Sequence, residues 1–152
     1  MKRISIFLGF LVSATASFSQ KNSPLPYKNP MLPMEVRIAD LFQRMTLEEK
    51  VAQLQCHWET FAWGTVVNDK GEADYDKWAK FAPHGLGQLA RPNELPGFGG
   101  RSPYETAFYA NQVQKYFVEK TRLGIPIMFH EESLHGNQAK DATNFPTHLA
   151  LG

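Results

Sequence analysis

Two apolar runs separated by a helical pattern constrain this chain more than anything else in it. Gly85-Leu86-Gly87-Gln88-Leu89-Ala90 reads as a short strand, and Gly124-Ile125-Pro126 leads into a second one, Ile127-Met128-Phe129-His130. Between them, Ala107, Phe108, Ala110, Val113, Phe117 and Val118 mark a helix over 103–121. Strand, helix, strand is a βαβ unit, which implies parallel neighbouring strands and a right-handed crossover. The second run is apolar at nearly every position, the pattern of a strand covered on both faces. The fold class is therefore α/β. The run closes on His130-Glu131-Glu132-Ser133-Leu134-His135-Gly136. Parallel strands present ligand sites at their C-terminal ends, so the candidate chemistry lies here.

The N-terminal half is punctuated differently. Lys2 and Arg3, the apolar run Ile4 to Val12, and the small residues Ser13, Ala14, Ala16, Ser17 and Ser19 follow the order of a secretory signal peptide over residues 1–19. Cleavage is expected after Ala16 or Ser19, and the chain is expected to be secreted or periplasmic. The run is too short to span a membrane, and no later segment resembles a span. Residues 20–34 form an extended lead-in with Pro24, Pro26, Pro30 and Pro33. Val36, Ile38, Leu41, Phe42 and Met45 then recur at near-helical spacing. Thr46-Leu47-Glu48-Glu49 is a capping box, and Leu47, Val51 and Leu54 make one apolar helical face behind it. Residues 35–57 are thus expected to be two short helices. Asp74 to Lys80 suggests a third. Ser102-Pro103-Tyr104-Glu105 is a second capping box with proline at the first helical position. Neither an internal repeat nor a low-complexity tract is present.

Composition narrows the function classes. A net charge of +1 over 152 residues gives no basic footprint for nucleic acid. Cys56 is the single cysteine, which excludes an internal disulfide, and it is expected to be a buried, inert thiol. Trp58, Trp63 and Trp78 either fill a core or offer faces on which sugars stack. Gly97-x-Gly99-Gly100 lacks the preceding strand and the spacing of a phosphate-binding loop, and reads as a flexible loop.

His130 and His135 mimic a zinc-protease motif but stand five residues apart. That is roughly 140° around a helix, or opposite faces of a strand, so no metal site is expected. Glu131 and Glu132 suggest a two-carboxylate hydrolase. A glycoside-cleaving pair must flank one bond at roughly 5–9 Å, whereas neighbours on a strand point to opposite faces. Parity groups Met128, His130 and Glu132 against Ile127, Phe129 and Glu131, so only one of the two glutamates is expected to face a ligand. The alternative is structural: both cap the next helix or pair with Arg91 or Lys140.

Three segments in order carry a resemblance. Arg37-Ile38-Ala39-Asp40-Leu41 through Met45-Thr46-Leu47-Glu48-Glu49-Lys50-Val51-Ala52-Gln53-Leu54 resembles the opening of glycoside hydrolase family 3. So do Leu123 through Gly136, and Ala142-Thr143-Asn144-Phe145-Pro146 with Leu149-Ala150-Leu151-Gly152. The resemblance covers about residues 35–152. It implies the first part of a (β/α)8 TIM-type barrel, incomplete in this chain, since a full barrel takes about 250 residues. It implies a secreted, exo-acting, retaining β-glycosidase of β-glucosidase type that needs no cofactor and takes an oligosaccharide or β-glycoside. A β-xylosidase of the same family and a non-catalytic sugar-binding fragment are the alternatives. It also implies that Glu132 binds hydroxyls of the terminal sugar. The family's nucleophile and acid/base residues lie past residue 152, so no catalytic residue is expected in this chain, which should be inactive alone.

Overall fold

A computed structural model describes residues 25–58, 66–95, 99–137 and 139–146. The signal-like segment, Trp63 and the last matched residues, Leu149 to Gly152, lie outside these. The chain divides into two compact units, Met1–Asp40 and Leu41–Gly152. In the first, a 3-10 turn at Pro26–Lys28 precedes helix α1 (Met34–Arg44), which runs on into the second unit. Among the described residues of this unit, Tyr27 is buried. Its N–H donates to Asp40 Oδ2 at 3.2 Å, and its carbonyl accepts from Arg37 Nε at 3.1 Å.

The second unit continues with α2 (Leu47–Ala52), β1 (Cys56–Trp58), α3 (Tyr75–Phe81), β2 (Gln88–Ala90), α4 (Pro103–Lys120) and β3 (Met128–His130). The three strands are parallel in the order β1-β2-β3, with Cys56, Gln88 and Met128 in register. The βαβ reading therefore holds: α4 connects two adjacent parallel strands. Both capping boxes are formed. Thr46 and Glu49 exchange bonds at 2.9 and 3.2 Å, and Ser102 and Glu105 at 2.8 and 3.4 Å. Asp74 caps α3 through the N–H groups of Asp76 and Lys77.

Several expectations need correction. Residues 35–57 are not two helices to the end: α2 stops at Ala52 and 56–58 is a strand. Its supposed apolar face is exposed at Leu47, Val51 and Leu54, and the buried residues of α2 are Glu49 and Ala52. Pairing with β2 is what overrides helix propagation here. The Gly87 N–H donates to Ala52 O at 3.0 Å, and a Cβ at Gly87 would stand 2.0 Å from Gln53 O, so only glycine permits this approach. Cys56 is exposed rather than buried, because it lies on the sheet face opposite the helices. That same face leaves Met128 exposed, so β3 is covered on one face only among the described residues. The strand also begins at Met128, one residue later than Ile127. The side-chain amide of Gln114 on α4 takes both backbone groups of Ile127, at 2.8 and 3.1 Å, in place of a ladder partner.

The core sits between the sheet and α3 and α4. Trp78, Leu89, Val113 and Phe117 are its centre, with Val66, Tyr109 and Ile127 around them. Trp78 is therefore a core residue. His57 shares the inward face with Leu89 and Phe129 and lies 4.3 Å from the Phe81 ring and 5.8 Å from that of Trp78. Burial pushes its pKa down to about 4 from 6.5. Between those values the unfolded chain binds a proton that the folded chain refuses, so His57 makes stability fall as pH drops from 6.5 toward 4. His57→Phe keeps the ring contacts and removes this loss. Urea melts across that pH range should show a shallower acid decline for the variant, and identical slopes would contradict the assignment.

Candidate functional site

The three strands end side by side, and each delivers one part of a polar cluster. Trp58 closes β1, Arg91 follows β2, and Glu131 and Glu132 follow β3. The Arg91 guanidinium lies over the Trp58 ring, with Cζ 4.3 Å from the centroid. It donates to Glu94 Oε1 at 2.8 Å and also pairs with Glu132 Oε2. The Trp58 indole N–H donates to Glu94 Oε2 at 2.7 Å, so Glu94 bridges the ring and the cation. Arg91 adopts a left-handed backbone conformation, φ +49°, which is strained for a residue with a Cβ. Its N–H donating to His130 O at 2.8 Å and its side-chain contacts hold it there.

The loop after β2 is not loose in its described parts. Arg101 is fully buried. Its Nη1 donates to the carbonyls of Pro92 and Glu94 at 2.8 and 2.7 Å, and its Nη2 to that of Gly71 at 3.0 Å. Its guanidinium also stacks on Tyr109, with Cζ 3.7 Å from the ring centroid. The expected flexible glycine loop is therefore anchored on both flanks of residues 96–98, which lie outside the described residues.

Glu131 and Glu132 both line one small cleft of about 50 Å³ with Arg91, Asn93, Glu94, Leu134 and Asn137. The alternation that was expected to separate them does not reach them, because β3 ends at His130. Their environments separate them instead. Glu131 accepts the Asn93 N–H at 3.2 Å. Burial raises its carboxyl above the usual carboxylate range, with Glu94 adding to the effect while the Asn93 N–H and Arg91 oppose it. Glu132 is more open, its side chain 60% exposed, and faces the Arg91 cation. Glu131 thus ties two loops together, and Glu132 is the carboxylate presented outward. The Arg91 pairing weighed as a structural alternative is formed by Glu132. Lys140 lies elsewhere, along α4. His130 is exposed, and the described residues contain no cluster of His, Cys, Asp or Glu arranged for a metal. No helix among them is long and apolar enough to cross a membrane.

Residues 46–152 match the glycosyl hydrolase family 3 N terminal domain. The chain belongs to glycosyl hydrolase family 3. A Formosa agariphila protein named "Putative beta-xylosidase" is 34% identical over 122 residues, covering 78% of this chain and 15% of that protein. An Aspergillus oryzae protein named "Probable beta-glucosidase C" is 28% identical over 134 residues, covering 85% of this chain and 19% of that protein. The chain spans less than a fifth of the length of either relative.

The family 3 match begins at Thr46, the N-cap of α2, and so takes in all three strands and the whole polar cluster. Glu132 was singled out in the sequence, and Arg91 only as a possible ion-pair partner. Glu94, Asn93 and Asn137 were missed. The available signal was position: Arg91 to Glu94 directly follow a strand that ends a parallel run. Arg91→Met removes the stack on Trp58 and two ion pairs, one of them well exposed. It should lower stability modestly, and less so at high salt, where the ion pairs are screened. Arg91→Lys should recover only part, because an ammonium cannot fork between two carboxylates. Chemical denaturation at low and high salt would check both, and a fully stable Arg91→Met protein would contradict the role.

Proposed function

We propose that this chain is the N-terminal part of a secreted, exo-acting β-glycosidase. In this reading it removes terminal glucosyl residues from the non-reducing end of a β-linked saccharide with retention of configuration. One observation carries the reading beyond family membership. A charged carboxylate, Glu132, stands at the C-terminal end of a parallel sheet beside an arginine that keeps it oriented. A carboxylate so placed can accept two charge-assisted hydrogen bonds from the adjacent hydroxyls of a sugar. A retaining mechanism needs two further carboxyl groups about 5–5.5 Å apart across the scissile bond, and we assign neither to this chain.

We read the sheet as the first strands of a (β/α)8 barrel. Successive strands are adjacent and parallel, α3 and α4 cover one face, and the opposite face carries the exposed Cys56 and Met128. That face suits a barrel interior, which later strands would close. A terminal xylosyl substrate is the second reading, favoured by the higher identity to the relative named a beta-xylosidase.

Kinetics of the full-length protein on 4-nitrophenyl β-glucoside and β-xyloside would decide between the sugars. Turnover of neither would sink the enzyme reading and leave sugar binding alone. Glu132→Gln should lose about 2–3 kcal/mol of transition-state stabilisation, seen as a fall in kcat/KM. Glu131→Gln should act mainly on stability, since it only loosens a loop contact. The reverse ranking would move the assignment to Glu131. Export has its own check. The mature protein should begin after Ala16 or Ser19 on N-terminal sequencing, and a secreted form that still starts at Met1 would contradict cleavage.

A further inference from the structure

We propose a second saccharide-binding site in the cleft between α4 and the loop over residues 66–74. It would hold a part of the substrate remote from the scissile bond. The proposal rests on the glycosidase reading and extends it to longer substrates. The cleft has a volume of about 350 Å³ and is lined by Lys70, Glu72, Tyr104, Phe108, Gln112 and Lys140, among others. Tyr104 is 79% exposed and Phe108 46%, and their rings are parallel to within 8° with centroids 6.5 Å apart. Two aromatic rings one helical turn apart, both this exposed, serve no core among the described residues.

Three observations select a sugar as the occupant. First, the walls are both built by one compact unit, so the cleft is not an edge awaiting a neighbouring strand. On the other flank of α4, Thr106, Ala107 and Ala110 face Ala139 and Ala142. Second, the lining mixes flat apolar faces with free polar groups. The Lys70 and Lys140 ammonium groups make no hydrogen bond or ion pair among the described residues. Gln112 spends its Oε1 on the Ala73 N–H and keeps its amide nitrogen as a donor. A pyranose needs this pairing: a C–H face for the rings and a hydroxyl rim for the donors. Third, the cleft is a separate one that shares no lining residue with the candidate site but is tied to it through one side chain. Tyr104 begins the helix that follows the C-terminal end of β2, the end where Glu132 stands. The buried Arg101 lines this cleft and, on its other side, grips the carbonyls of Pro92 and Glu94.

The full-length protein would be assayed on xylohexaose, cellohexaose and the matching 4-nitrophenyl monoglycosides. Tyr104→Ala and Phe108→Ala should each raise KM for the preferred hexasaccharide by about tenfold, the loss of one stacking contact. KM for the monoglycoside and the melting temperature should stay unchanged, and Tyr104→Trp should keep hexasaccharide KM near the parent value. An unchanged hexasaccharide KM would overturn the proposal. So would a fall in melting temperature with equal damage on both substrates, which would mean that another part of the protein covers the rings. If the parent cleaves no glycoside, the glycosidase reading fails separately. Retardation in gels containing soluble xylan or β-glucan then still tests the cleft: loss of retardation in Tyr104→Ala supports it, and equal or absent retardation overturns it.

Discussion

A buried guanidinium with three backbone carbonyls around it organises the functional end of this molecule. Arg101 makes those bonds to Pro92, Glu94 and Gly71, and its own N–H donates to Asn93 O at 2.7 Å. Burying a cation is costly unless its donors are satisfied. Here the donors are spent on the carbonyls of Pro92, Glu94 and Gly71. Pro92 and Glu94, in the loop after β2, are thereby held to the same side chain as Gly71, which lies between β1 and α3. Everything that the loop carries inherits its position from that residue: Arg91 at one end, Glu94 in the middle, and the capping box of α4 at the other.

That anchoring explains how a strained Arg91 can be useful. With the backbone turned at φ +49°, the side chain lies across Trp58 and reaches both Glu94 and Glu132. Elements distant in sequence converge there, and a single guanidinium joins them. Adjacent glutamates then acquire different characters without opposite strand faces. Glu131 is drawn in by the Asn93 N–H and desolvated, while Glu132 stays open and charge-paired. Two neighbouring carboxyl groups with different surroundings are a common starting point for dividing roles at a site.

Much of this was legible in the sequence, for identifiable reasons. The capping boxes at Thr46 and Ser102 are local chemistry, complete within four residues, and both form. The βαβ unit follows from a long helix between two apolar runs. Glu132 is reached through its place after a strand and through the family 3 motif around it. What could not be read depends on contacts between distant residues. β1 is three residues long and follows a helix whose apolar spacing runs on past its end, so nothing local marks Cys56–Trp58 as a strand. The pairing is decided by Gly87, thirty residues away, which lets β2 approach. Arg101 looks like a solvated loop residue until its three carbonyls are in place. Glu94 has no motif at all, and its role comes from Trp58 and Arg91.

The central claim is that Glu132 holds the terminal sugar while Arg91 keeps it aimed. The most direct test is a crystal structure of the full-length protein with its monosaccharide product bound. The account predicts Glu132 oxygens at roughly 2.6–3.0 Å from two adjacent sugar hydroxyls, with Arg91 still on Trp58 and Glu131 still on the Asn93 N–H. A sugar bound through Glu131, with Glu132 turned away to Arg91 alone, would contradict it.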